Sequence, residues 1–149
     1  MESSVIQKNI TKQQGFTLIE IIVVVVIIGI LATFIAPKFL GRTDEARITK
    51  AKTDIQALES ALDLYKLDNY AYPTTDQGLE ALVEKPTSDP VPANWKDGYI
   101  KKLRKDAWQR DYLYLNPGEH GAIDIYTLGA DGVEGGEDAN ADIGNWDNP

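Results

Sequence analysis

The sequence predicts an α+β fold. One long N-terminal helix, apolar in its first half and amphipathic in its second, packs on a small antiparallel sheet, and an acidic loop closes the chain. Three observations carry this. Residues 16–36 hold fifteen large apolar side chains. Between Arg42 and Asp68 the apolar residues recur at helical spacing. Near the C-terminus, residues 111–115 and 122–127 read as strands around a turn.

The apolar run is 21 residues long, enough to cross a hydrocarbon core as a helix. Its large side chains favour insertion by about 0.4 kcal/mol each, or about 6 kcal/mol together. The one acid inside it, Glu20, costs about 3 kcal/mol at most, and less near an end. Insertion wins. The run is rich in β-branched residues, yet a lone span in lipid must satisfy its own backbone, which only a helix does. Lys8 and Lys12 precede it against the single acid Glu2. That bias places the N-terminus in the cytoplasm and residues 38–149 outside it. A plain signal anchor that tolerates Glu20 is the bland alternative. A secretory signal peptide fits less well, because the run is long and is followed by Pro37-Lys38.

Pro37 should interrupt the helix after the span. From Arg42 to Asp68, Ile48, Ala51, Ile55, Leu58, Leu62 and Tyr65 form one stripe, with charges on the other faces. This is a core stripe that packs on a sheet. Residues 69–93 read as irregular, with one short helix capped by Thr75 ahead of 78–83. Pro86, Pro90 and Pro92 then forbid regular structure. Three strands are expected: 99–103, 111–115 and 122–127, the last two joined as a hairpin by Asn116-Pro117-Gly118.

The net charge of −8 is unevenly spread: residues 119–149 hold eight acids and no Lys or Arg. Nucleic acid, which needs basic partners, is excluded as a ligand. There is no cysteine, so no disulfide and no thiolate site. Residues 128–146 combine five glycines with clustered carboxylates. Hard oxygens of this kind suit Ca²⁺, although the spacing is neither that of an EF-hand nor that of the nonapeptide calcium repeat. The chemistry leaves a calcium site and a solvated loop both open. No catalytic constellation is present: His120 is the one histidine and reads as a solvated residue beside a turn, and no serine sits in a nucleophile elbow. No enzymatic activity is expected.

Gly15-Phe16-Thr17-Leu18-Ile19-Glu20 resembles the cleavage and methylation signature of type IV pilin-like precursors. The resemblance implies that a prepilin peptidase cuts between Gly15 and Phe16 and that the new N-terminal Phe16 is N-methylated. It divides the chain into a leader (1–15), a transmembrane helix (16–37) in the bacterial inner membrane and a periplasmic pilin-like domain (38–149). It also gives Glu20 a partner in the lipid bilayer, the amine of an adjacent subunit's first residue. Such a buried pair acts as a registry device more than as a net stabiliser.

Residues 67–83 (LDNYAYPTTDQGLEALV) and 128–146 (LGADGVEGGEDANADIGNW) resemble signatures of the major pseudopilin family of type II secretion systems. The resemblance implies a major structural subunit that polymerises with its own copies into a periplasmic filament, helping to drive folded proteins across the outer membrane. Minor pseudopilins and an inner-membrane assembly platform are the further partners, and a cytoplasmic ATPase supplies the energy. The family's C-terminal loop binds one Ca²⁺. Carried over, the ligands are the side chains of Asp131 and Asp142 and the carbonyls of Leu128 and Val133, with Asp138 or Asn140 in the middle. Two departures stand out. Asp138 occupies a position where the family has glycine, and Ala107 and Gln109 stand where it commonly has proline and glycine. The rivals are a type IV pilin of a surface fibre, many of which carry a disulfide that this chain lacks, and a membrane-anchored calcium-binding or hydrolase module.

Overall fold

The structure, a computed structural model, describes residues 15–147, with the side chains of 34–41 outside the description. The expected leader, apart from Gly15, and the last side chains of the expected span therefore lie outside the described residues. The chain falls into two compact units, up to Leu40 and from Gly41 onward.

The first unit holds the start of helix α1, which runs from Leu18 to Asn69. Every described side chain from Gly15 to Thr33 is exposed, including Phe16 at 84% and Ile19 at 68%. A continuous exposed apolar surface of this kind needs lipid or other helices to cover it. Among the described residues no helix is long and apolar enough to cross a membrane. The expected span continues to residue 37, past the last described side chain of the run, Thr33. The helix continues through Pro37, where an interruption was expected. Proline removes one backbone bond, and the helical residues on either side carry the helix across.

In the second unit the expected stripe is the core. Ala51, Ile55, Leu58, Leu62 and Tyr65 are buried, Ala61 joins them, and Ile48 packs partly buried at the edge. The helix ends where Tyr70 turns left-handed (φ 64), its amide donating to Lys66 O at 2.7 Å. An αL residue just past the last turn is a common helix stop, here without the usual glycine.

A three-stranded antiparallel sheet covers the stripe, in the order β1 (Leu113–Leu115), β2 (Asp124–Thr127), β3 (Ile143–Gly144). The expected hairpin is β1–β2, with Tyr114 opposite Ile125. Tyr112, Tyr114, Ile123 and Ile125 are buried in the same core as the helix stripe. Leu113 and Tyr126, paired across the strands, lie on the other face and are more exposed.

Two expectations are corrected. Residues 99–103 form no strand; the amides of Tyr99 and Ile100 both donate to Leu82 O, at 2.7 and 3.2 Å. The third strand is instead Ile143–Gly144, too short to show a period of two. The short helix is a 3₁₀ turn, Leu79–Leu82, preceded by Gly78 and not capped by Thr75. Thr75 Oγ1 instead exchanges hydrogen bonds with the Asn116 backbone (2.9 and 3.1 Å). The irregular segment is held by side chains: Gln77 Nε2 donates to Ser88 O and Pro90 O, and Trp95 Nε1 to Ala81 O.

Candidate functional site

At the N-terminal motif, Thr17 precedes the first helical residue. Its amide and hydroxyl donate to Glu20 Oε2 at 2.7 and 2.8 Å, and the Glu20 amide donates back to Thr17 Oγ1 at 3.3 Å. This is a capping box, in which the two residues satisfy each other's free backbone donors. Thr17 was not singled out from the sequence, although the spacing T-x-x-E carries the signal. Phe16, 84% exposed, precedes the box, so a cut after Gly15 leaves Thr17 and Glu20 intact.

The acidic loop leaves β2 at Leu128 and returns at Asp142. Its two limbs are stitched together: Ala130 N donates to Ala139 O at 2.8 Å. Gly129 (φ 62) lies so close to the return limb that a Cβ would come within 2.6 Å of Ala141 O. Gly132 N donates to Leu128 O at 3.1 Å, Val133 N to Asp131 Oδ1 at 3.0 Å, and Gly135 N to Asp142 Oδ2 at 2.9 Å. The second Asp142 oxygen, Oδ1, is buried without a hydrogen-bond partner. Arg110 bears on the loop from β1's side: Nη2 donates to Gly129 O, and a Cβ on Gly132 would meet its guanidinium at 2.7 Å. Arg110 could be found only in the tertiary structure.

Among the described residues no group of three acids or histidines gathers to hold a metal. Asp131, Asp138 and Asp142 are therefore not brought together as a trio. Asp138 is exposed in a 3₁₀ turn (Asp138–Asn140), and Asn140 follows it in the same turn. A cation here would take carboxylates and backbone carbonyls together, a mixture that Ca²⁺ accepts. The orphaned Asp142 oxygen and the all-oxygen donor set fit that chemistry.

His120 is not the free loop residue expected. Its ring stacks on Trp146 at 3.9 Å, and its Nδ1 lies 3.0 Å from Asp124 Oδ2. Asp124 is buried, and it also accepts the Glu119 amide at 2.8 Å. Burial opposes its ionisation, but the hydrogen bonds from the His120 ring and from the Glu119 and His120 amides outweigh that. They hold its carboxyl below the ordinary value. Asn145 completes the attachment of the C-terminal end, accepting from Ile125 N and donating to Ile123 O.

Residues 38–146 match the family model described as "Type II secretion system (T2SS), protein G". The chain belongs to the type II secretion system protein G family. Residues 10–36 match the "Prokaryotic N-terminal methylation motif", which takes in Gly15, Phe16 and Glu20. The chain is 63% identical over 138 residues to the type II secretion system core protein G of Pseudomonas aeruginosa, covering 92% of this chain and 97% of that one. It is 64% identical over 140 residues to the Vibrio cholerae core protein G (93% and 95%). A crystal structure of the major pseudopilin of enterohaemorrhagic Escherichia coli matches with TM-score 0.65 and 54% identity. The match spans 72% of this chain and 92% of that one.

Of the three residues expected to depart from the family pattern, Ala107, Gln109 and Asp138, the last two lie on left-handed backbone. Gln109 has φ 67 and Asp138 φ 54. Both are conformations that glycine adopts freely and other residues rarely. Non-glycine residues carry these two left-handed positions at some strain.

Proposed function

We propose that this chain is the major structural subunit of a type II secretion pseudopilus. It is anchored in the inner membrane by residues 16–37 and cleaved after Gly15, with residues 38–149 in the periplasm. The observation that carries this reading is the pairing of the protein G match over 38–146 with the methylation motif over 10–36 in one chain. The exposed apolar helix supports it. That surface is covered first by lipid and then, in a filament, by the helices of neighbouring copies.

The work is mechanical. After cleavage, the Phe16 amine lies beside the capping box, one residue before Thr17. Glu20 holds a carboxylate at the same end of the helix, satisfied by Thr17 until the amine of a neighbouring subunit reaches it. A pair of this kind fixes register along the filament. Minor pseudopilins, a prepilin peptidase and an inner-membrane platform are the partners of this assembly.

Ca²⁺ fits the acidic loop as a structural ion, held by the carboxylates of Asp131 and Asp142 and the carbonyls of Leu128 and Val133, with Asp138 or Asn140 completing the set. Bound there, it supplies electrostatic cross-linking of the loop limbs. Arg110 and the Ala130–Ala139 hydrogen bond hold those limbs without it.

Mass spectrometry of the protein from its cells tests the reading. The expected product begins at N-methylated Phe16 and is recovered in filaments. An uncut chain that still supports secretion would overturn it.

A further inference from the structure

The second unit carries a cleft of about 400 Å³ on the helix side of the sheet. Ala57, Leu58 and Ile100 give it apolar walls, and Tyr112 closes it by donating to Asp54 Oδ2 at 3.0 Å. Lys101, Lys102 and Arg104 also line it. All three are exposed, and among the described residues none makes an ion pair or hydrogen bond. Three unpaired cations around an apolar floor suit an acidic segment with an apolar tip.

This chain displays such a segment. Val133 is the one large apolar side chain exposed in the acidic loop, at 62%. Glu134, Glu137 and Asp138 follow it, exposed and without side-chain partners among the described residues. Glu134 and Glu137 are outside the calcium donor set, so they stay free whether or not the ion is bound. No residue of the loop lines the cleft of its own subunit. Glu134 lines a different cleft with Leu115, Tyr126 and Trp146, on the sheet face turned away from α1. The cationic cleft is bounded by α1 itself.

We propose that the Val133–Asp138 loop of one copy docks into the Lys101–Arg104 cleft of the next. Two different patches meeting head to tail make a heterologous contact, which propagates into an open filament and does not close as a dimer. Opposite charges on the two faces steer the encounter and fix its register. The inference rests on the filament reading above and adds to it a contact outside the membrane.

The chain has no cysteine, so full-length Lys101→Cys/Val133→Cys can be oxidised in assembled filaments without background. The expected result is a ladder of dimers, trimers and longer species, while a mixture of the two single variants stops at dimers. In parallel, Lys101→Glu/Arg104→Glu should lower filament yield by about tenfold. Adding Glu134→Lys/Glu137→Lys should restore it, showing that the first variant failed through charge and not folding. Filaments that form without the cross-link, and that ignore both charge variants, overturn the contact and leave the filament reading standing. A Lys101→Cys variant that cross-links to another protein, with no 101–133 product, also overturns it. A native chain that makes no filament overturns both.

Discussion

Thr17 and Glu20 cap one another at the first turn of α1, through a 2.7 Å bond from the Thr17 amide to the carboxylate and a 3.3 Å bond back. The acid inside the apolar run thus has a local use even before any subunit meets another. Capping and charge can be separated. Glu20→Gln keeps the capping acceptor and loses the charge; Glu20→Ala loses both. If the carboxylate is needed for the neighbour's amine, both variants insert in the membrane and both fail to assemble filaments. Assembly by the Gln variant at the native level would leave Glu20 as a cap alone.

Asp106 is the buried hub of the second unit. Its Oδ1 accepts the Trp108 and Arg110 amides at 2.8 Å each, and its Oδ2 accepts the Thr127 hydroxyl at the end of β2. Asp106→Ala leaves all three donors unpaired, which should cost about 3 kcal/mol. In a domain of this size that lowers Tm by about 10 °C. Thermal unfolding of residues 42–149 measures it, and Asp106→Asn, which keeps one acceptor, should lose about half as much.

Gln109 holds φ 67, which costs a non-glycine residue about 1–2 kcal/mol. Gln109→Gly removes that strain and returns about 0.5–1 kcal/mol of it as extra chain entropy in the unfolded state. The net expectation is a rise of a few degrees in Tm. A fall would mean that the glutamine side chain, and not the backbone, decides this turn.

The second unit should lose stability when Ca²⁺ is withdrawn. At a hundredfold excess over its dissociation constant, a bound ion adds about 2.7 kcal/mol. Unfolding in Ca²⁺ against EGTA should differ by about 10 °C, and Asp142→Asn should abolish the difference. Equal unfolding temperatures, with no metal recovered in mass spectra, would remove the ion from the account.

Asp124 sets an acid limb. Its carboxyl is held below the ordinary value in the folded chain, so the stability it confers is present above the unfolded value of about 4. That stability is lost as pH falls through the lower folded value. Urea unfolding followed from pH 6 downward should show a shallower acid decline in Asp124→Asn than in the native chain. Parallel curves would assign the decline to other carboxylates.

Much of this protein was determined by periodicity and by short motifs. The stripe from Ile48 to Tyr65 is legible because a helix repeats every 3.6 residues, and burial follows that repeat whatever it packs against. The 111–115 and 122–127 strands show alternation around a strong turn, and Gly15 to Glu20 is a local signature that needs no fold to be read. The tertiary structure decided what depends on residues distant in sequence. Ile143–Gly144 is a strand only because β2 offers it an edge, and 99–103 is not one because the Leu82 carbonyl captures its amides. Arg110 meets the acidic loop, and His120 stacks on Trp146, through contacts that span about twenty residues or more. Such contacts leave no period behind them. They exist only once the helix and sheet have closed a common core and brought those surfaces within hydrogen-bonding reach.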